Sequence, residues 1–164
     1  MSIELTSTAF KAEKPIPKQY TGDGTDQSPP LQWSEPPSGT KSIALICDDP
    51  DAPRGTWVHW VLFNVPAQTL ELEAGVPTTE TLANGAKQGK NDFGNIGYGG
   101  PAPPKGKAHR YFFKLYALDA ALNLPSGALA RACRAAWRSP DGSAWGNRSA
   151  KGLRRPRGLP AEVD

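Results

Sequence analysis

The chain has 164 residues, 38% of them hydrophobic, with 17 Gly, 17 Pro and a formal net charge of +3. That length suits one domain with its own core, and the Gly and Pro content disfavours a helix bundle in favour of short strands joined by turns. No apolar run approaches the ~20 residues of a membrane span, and the first ten residues have neither a basic flank nor an apolar stretch, so a cytoplasmic location without membrane insertion is expected.

In chain order, the first predicted strand is a short one at Leu31–Ser34, between Pro29-Pro30 and Pro36-Pro37. Ser42–Asp48 (SIALICD) follows, an apolar run that ends in acid and proline. Within it Cys47 reads as a small buried hydrophobe; Cys47 and Cys133 have no metal-ligand spacing and form no disulfide framework. Thr56–Val65 (TWVHWVLFNV) is rich in aromatic and β-branched residues and stops at Pro66. Lys87–Lys107, with six glycines and three prolines, is a long loop. Loops of that length inside a compact domain are functional or unfolded, and Phe93 and Tyr98 argue that this one packs. His109–Leu118 (HRYFFKLYAL) is the last strong strand. One helix is predicted at Ser126–Arg138, with Ser126 as its N-cap. Continuous apolarity on the central strands points to an antiparallel sandwich covered on both faces.

Beyond the helix the pattern fades. Lys and Arg number 11 against 13 Asp and Glu over residues 1–127, but 8 against 3 over residues 128–164, so the basic character sits in the tail. Lacking aromatic interleaving or a recognisable module, the tail reads as a solvated, partly disordered end rather than a nucleic-acid surface. Residues after about Trp145 are expected to add little to the core, so that removing Gly146–Asp164 leaves stability nearly unchanged.

The residues able to do chemistry gather beside the strong strands. Asp49 and Asp51 flank Pro50; in an extended segment, positions two apart point to one side, so both carboxylates are expected to face one cavity. His59 is mid-strand with Trp57 and Val61 on its face, and His109 shares a face with Tyr111 by the same rule. These are the only histidines of the chain. A single strand histidine is most often a hydrogen-bonded core residue, an Asp-Pro-Asp segment a turn, and a Gly-Gly-Pro stretch a tight bend. Two carboxylates, two imidazoles and a glycine loop together make a stronger case, because buried charge must be paired or bind a ligand.

The order and spacing of DPDAP (Asp49–Pro53), His59-Trp60, GYGGPAPPKG (Gly97–Gly106) and HRYFFKLYALD (His109–Asp119) resemble the phosphatidylethanolamine-binding protein family. YTGDG (Tyr20–Gly24), SPPLQWS (Ser28–Ser34) and NDFGNIGYGG (Asn91–Gly100) resemble its bacterial, Raf-kinase-inhibitor-like branch. The likeness runs from about Phe10 to Leu124 and divides the chain into a family-like domain over residues 1–128 and a divergent C-terminal helix and basic tail over 129–164. It implies a mainly β, antiparallel sandwich with few short helices and a small pocket at one end, lined by Asp49, Asp51, His59, Gly100, Pro101 and His109, with Trp57 and Tyr111 as walls.

The resemblance implies a binding and regulatory module that takes a small anionic or phosphorylated ligand, with a kinase or protease as protein partner and a homodimer as an assembly some bacterial members adopt. No cofactor, metal or nucleic acid is expected. In this reading Asp49 and Asp51 raise the histidine pKa values, and charged imidazoles with the backbone N–H groups of Gly99-Gly100 hold the anion. Two alternatives remain open: an Asp/His hydrolase or metal-dependent enzyme, and a protease inhibitor. Against catalysis, neither H-x-x-x-H nor G-x-S-x-G occurs, and no Ser or Cys adjoins either histidine.

Overall fold

The computed structural model describes residues 3–102, 108–136 and the backbone of 159–163. In chain order it contains β1 (Leu5–Thr6), β2 (Lys14–Pro15), a 3-10 turn (Lys18–Tyr20), β3 (Leu31–Trp33), β4 (Ser42–Asp49), β5 (Trp57–Pro66), β6 (Glu71–Leu72), β7 (Lys87–Gln88), β8 (His109–Leu118), α1 (Ala130–Ala136) and β9 (Leu159–Val163). They form a three-stranded sheet, β1-β3-β6, and a six-stranded sheet, β2-β9-β8-β4-β5-β7. All neighbours are antiparallel except β2 and β9. The fold is an antiparallel β-sandwich, as expected.

Burial explains the sequence pattern of the central strands. Every residue of β4 is buried, because apolar layers cover both faces of the sheet there, so its sequence runs apolar instead of alternating. One layer lies between the sheets and joins Leu5, Leu31, Trp33 and Leu72 to Ile43, Leu45, Trp60, Leu62, Tyr111 and Phe113. The other gathers Ala44, Ile46, Val58, Val61 and Phe63 under Ala130 and Cys133 of α1. Cys47 is fully buried, and burial pushes its thiol well above the usual range. At the outer edge Trp60 Nε1 donates to Gln88 Oε1 at 2.8 Å, while Gln88 Nε2 donates to the carbonyls of Pro77 and Thr79, so a buried amide has its polar groups met.

Two expectations change. The helix begins four residues later than predicted, at Ala130. Gly127 has φ 76° and gives its N–H to the Gln88 carbonyl, so the chain turns at the place where a first helical turn was expected. Ser126 Oγ lies 3.4 Å from Thr81 Oγ1 instead of capping a helix; Arg138, the predicted helix end, lies outside the described residues. The second change concerns the tail. Residues 159–163 form a strand inserted between β8 and β2, with His109 opposite Val163 and Lys14 opposite Ala161. The reading of the tail as a solvated, partly disordered end therefore does not hold for this five-residue segment, whose backbone pairs with the body. Backbone pairing places it there, and a run of five residues containing a proline carries too weak a strand signal to announce it.

Candidate functional site

The C-terminal end of β4 and the N-terminal ends of β5 and β8 meet at one end of the larger sheet, and they bring Asp49, Trp57, His59, His109 and Tyr111 together. A β-bulge aims His59. Cys47 pairs with Trp60 and Asp48 with Val58, which leaves His59 as the extra residue on β5. A bulge re-aims a side chain that strict alternation would send elsewhere. The His59 ring stands edge-on to Tyr111, with centroids 5.2 Å apart, and Tyr111 belongs to the layer between the sheets. Val61, expected to share its face, packs in the opposite layer under α1. Trp57 does stay with it, since both rings contact Phe93 at 5.5 and 5.3 Å.

The glycine loop locks this imidazole. His59 Nδ1 lies 2.7 Å from the Gly99 carbonyl oxygen, and Gly99 N–H donates back to the His59 carbonyl at 2.9 Å. A carbonyl only accepts, so Nδ1 carries the hydrogen. Glycine is required at both loop positions. A Cβ on Gly99 would meet the Phe93 ring at 2.8 Å, and one on Gly100 would meet Asp26 Oδ1 at 2.4 Å and the Thr21 backbone at 2.9 Å. The loop amides were expected to hold an anion, but Gly99 N–H is given to His59 and Gly100 N–H donates to Asp26 Oδ1 at 2.7 Å. Pro101 is buried, and its carbonyl accepts from Gly22 N–H. Gly100 and Pro101 thus fasten the loop to residues 21–26, through the Gly100 N–H and the Pro101 carbonyl.

The two aspartates part company. The chain turns after Asp49, so the rule for extended segments fails. Asp49 Oδ1 accepts from the Asp51 N–H, and Asp49 Oδ2 lies 2.8 Å from His109 Nδ1, a bond in which both side chains are less than a tenth exposed. Asp51 instead takes the Arg110 backbone N–H and both arms of its guanidinium at 2.9 Å, on the rim. That pairing holds the Asp51 carboxyl well below the usual carboxylate range. The neighbouring Asp48 accepts from Lys114 Nζ across the opposite face of β8. Three nearly consecutive carboxylates thus serve three different basic side chains.

The expected electrostatics also change. Asp49 and Asp92 favour protonation of His59, but burial outweighs them, and its pKa lies below the ordinary histidine value. His59 is only 3% exposed. Burial likewise pushes the Tyr111 hydroxyl above the usual phenol range. Trp57 Nε1 is buried without a partner among the described residues, a donor available to a ligand or water. Phe93, 46% exposed, is the wall the sequence reading left out of the site. The available signal was an aromatic ring placed between glycines in a loop long enough to be functional. It also borders a groove of about 620 Å3 that runs past Asp26, Thr78 and Asn95 and shares Gly99 and Gly100 with the imidazole cluster.

Among the described residues, no cluster of three or more His, Cys, Asp or Glu is placed to hold a metal ion, and no helix is long and apolar enough to cross a membrane. The family model for phosphatidylethanolamine-binding protein matches residues 6–141. Over 126 residues the chain is 52% identical to a UPF0098 protein of Methanothermobacter thermautotrophicus, covering 77% of this chain and 83% of that one. It is 53% identical over 128 residues to a UPF0098 protein of Aquifex aeolicus, covering 77% and 74%. Among solved structures, YbcL of Escherichia coli, described as a member of the mammalian family, superposes with a TM-score of 0.83 at 30% identity, covering 100% and 99% of the two chains. A homolog from Chlamydia trachomatis superposes with a TM-score of 0.79 at 33% identity, covering 99% and 97%. The chain belongs to the phosphatidylethanolamine-binding protein family.

Proposed function

We propose that the protein is a ligand-binding regulatory module whose seat, between His109 and His59, takes a small anionic group of the phosphate type. The observation that carries this reading is the buried Asp49–His109 bond. With Nδ1 given to the carboxylate, Nε2 is the nitrogen of His109 left for a ligand, and an imidazolium between a carboxylate and a bound anion has a counter-charge on each side. Asp49 acts by orienting His109, since a carboxylate repels an anion. Asp51 is given to Arg110 and plays no direct part. Trp57 Nε1 adds a neutral donor, and the Trp57, Phe93 and Tyr111 rings wall the seat. A phosphorylated side chain of a partner kinase or protease presents the same group as a free phosphomonoester, so regulation of a protein would use this seat too. Calorimetric titration with phosphoethanolamine tests the reading. Wild type binds, and His109→Ala loses about ten- to a hundredfold in affinity, the cost of one charge-assisted contact. Undiminished binding by the variant would place the anion elsewhere.

A further inference from the structure

The two imidazoles differ in what they can offer a ligand. His59 Nδ1–H is committed to the Gly99 carbonyl at 2.7 Å, and the return bond from Gly99 N–H ties the loop to the same residue. The ring is wedged between the edges of Phe93 and Tyr111, so it cannot turn over without breaking both contacts and the bond. The groups that face it are Asp49 at the end of β4, Asp92 in the loop after β7 and the Tyr111 phenol on β8. Neither carboxylate bonds to the ring. Asp49 is occupied by His109 and the Asp51 N–H, and Asp92 Oδ2 takes the Val58 N–H at 2.7 Å. His59 is 3% exposed and no carboxylate bonds to its ring, and burial lowers its pKa below the ordinary histidine value in spite of them, which favours the neutral form. The short bond of the ring is the one at Nδ1, the Gly100 carbonyl also lies beside the ring, and in the neutral ring Nε2 is an acceptor. The neighbouring loop offers no donor in compensation, because Gly99 N–H and Gly100 N–H are both used.

We propose that this seat selects an anion that brings its own proton: a phosphomonoester bound as its monoanion, with the P–O–H donating to Nε2 of His59. The proposal rests on the anion-binding reading above and adds the ligand's protonation state. A phosphodiester or a sulfate ester of the same charge has no such hydrogen. It sets a lone pair against a lone pair, or requires a buried imidazole to take a proton from water first, and both cost affinity. The fully ionised phosphomonoester is disfavoured too, since it places a second negative charge near Asp49 and Asp92.

The test uses the intact protein and two probes of equal charge and nearly equal shape, methyl phosphate and methyl sulfate. At about pH 5.5 a phosphomonoester is largely monoanionic, its second pKa being about 6. Methyl phosphate is then expected to bind at least about tenfold more tightly than methyl sulfate, the value of one hydrogen bond against an unmade one. Dimethyl phosphate is expected to bind like the sulfate. In His59→Gln the side-chain amide can turn a donor to the ligand, and the preference falls to within about threefold. A second measurement needs no variant: in buffers of different ionisation enthalpy, methyl phosphate should take up only about a quarter of a proton at this pH, the share its dianionic fraction requires, and methyl sulfate more than that. If both esters bind equally and methyl sulfate takes up no more protons than methyl phosphate, the selection is refuted while the anion seat stands. If neither binds, the anion seat falls and the selection with it.

Discussion

The site has two sides, one built on the glycine loop and β5, the other on the corner between β4 and β8. Each fastens one histidine by Nδ1, but with opposite electrostatic means. On the loop side a neutral carbonyl holds His59, with a return bond from the same residue, so orientation is fixed without a counter-ion. On the corner side a buried carboxylate holds His109, which supplies orientation together with charge. The two sides therefore leave different nitrogens beside one another in the candidate site, one on a ring held by a carbonyl and one on a ring held by a carboxylate. The comparison shows how a fold makes two copies of one residue type chemically unlike, through the second atom each ring touches.

Perturbing each side separately sharpens the contrast. The largest effect is expected from Asp49→Ala. It leaves His109 buried without its partner and frees the Asp51 N–H, and breaking a buried pair of this kind costs about 3–5 kcal/mol. Denaturant unfolding checks it, and a loss well under 1 kcal/mol would mean that the carboxylate does not hold the corner. The loop side is sensitive to added bulk instead. Gly100→Ala forces a methyl group against Asp26 Oδ1 and the Thr21 backbone, for a cost of about 1–3 kcal/mol in the same assay.

Acid distinguishes the sides next. The His59 pKa is lowered by folding, so between the unfolded value, about 6.5, and the lower folded value the unfolded chain binds more protons. Stability from this group is complete above about pH 6.5 and falls below it, with a slope of at most about 1.4 kcal/mol per pH unit. His59→Gln should flatten this part of the stability–pH curve, and an unchanged slope would show that another group titrates there. The smallest effect belongs to Asp51→Asn on the rim. Its carboxyl pKa is depressed in the fold, so its contribution is complete above about pH 4 and declines as pH falls further. Solvent screens the pair, and the loss should stay below about 1 kcal/mol and vanish in high salt.

How much of this was readable in advance depended on whether a feature is local. Two central strands were legible because their residues carry the pattern themselves: an unbroken apolar run within Ser42–Asp49, and alternation of buried His109, Tyr111, Phe113 and Leu115 with exposed or half-buried neighbours. The residues that gather at the site could be named, yet their roles depended on partners. That His59 is a bulge residue follows only from the register between β4 and β5. That Asp51 turns away from Asp49 follows from the bend at Pro50 and from Arg110 on β8, the strand beside β4 in the sheet but 59 residues on in the chain. The sign of the His59 shift depended on how far Phe93 and Tyr111 close over the ring, and neither contact can be read from spacing. Gly100 was recognised as a bend, whereas the acceptor for its N–H, Asp26, adopts a left-handed backbone with φ 60° in a segment that no motif joined to the site.

The place of β9 bears on how the chain is made. A ribosome delivers β8 well before residues 159–163, and until they arrive the outer edge of β8 from His109 to Phe113 has no strand to pair with. Ahead of that moment β2 has likewise no neighbour in this sheet, since β9 is what joins it to β8. A nascent or prematurely terminated chain would therefore expose a five-residue edge bearing Tyr111, Phe112 and Phe113, next to the candidate site. Such an edge is a template for strands of other molecules. The strand at 159–163 is thus also the cap that keeps the site's own strand from being paired by a stranger.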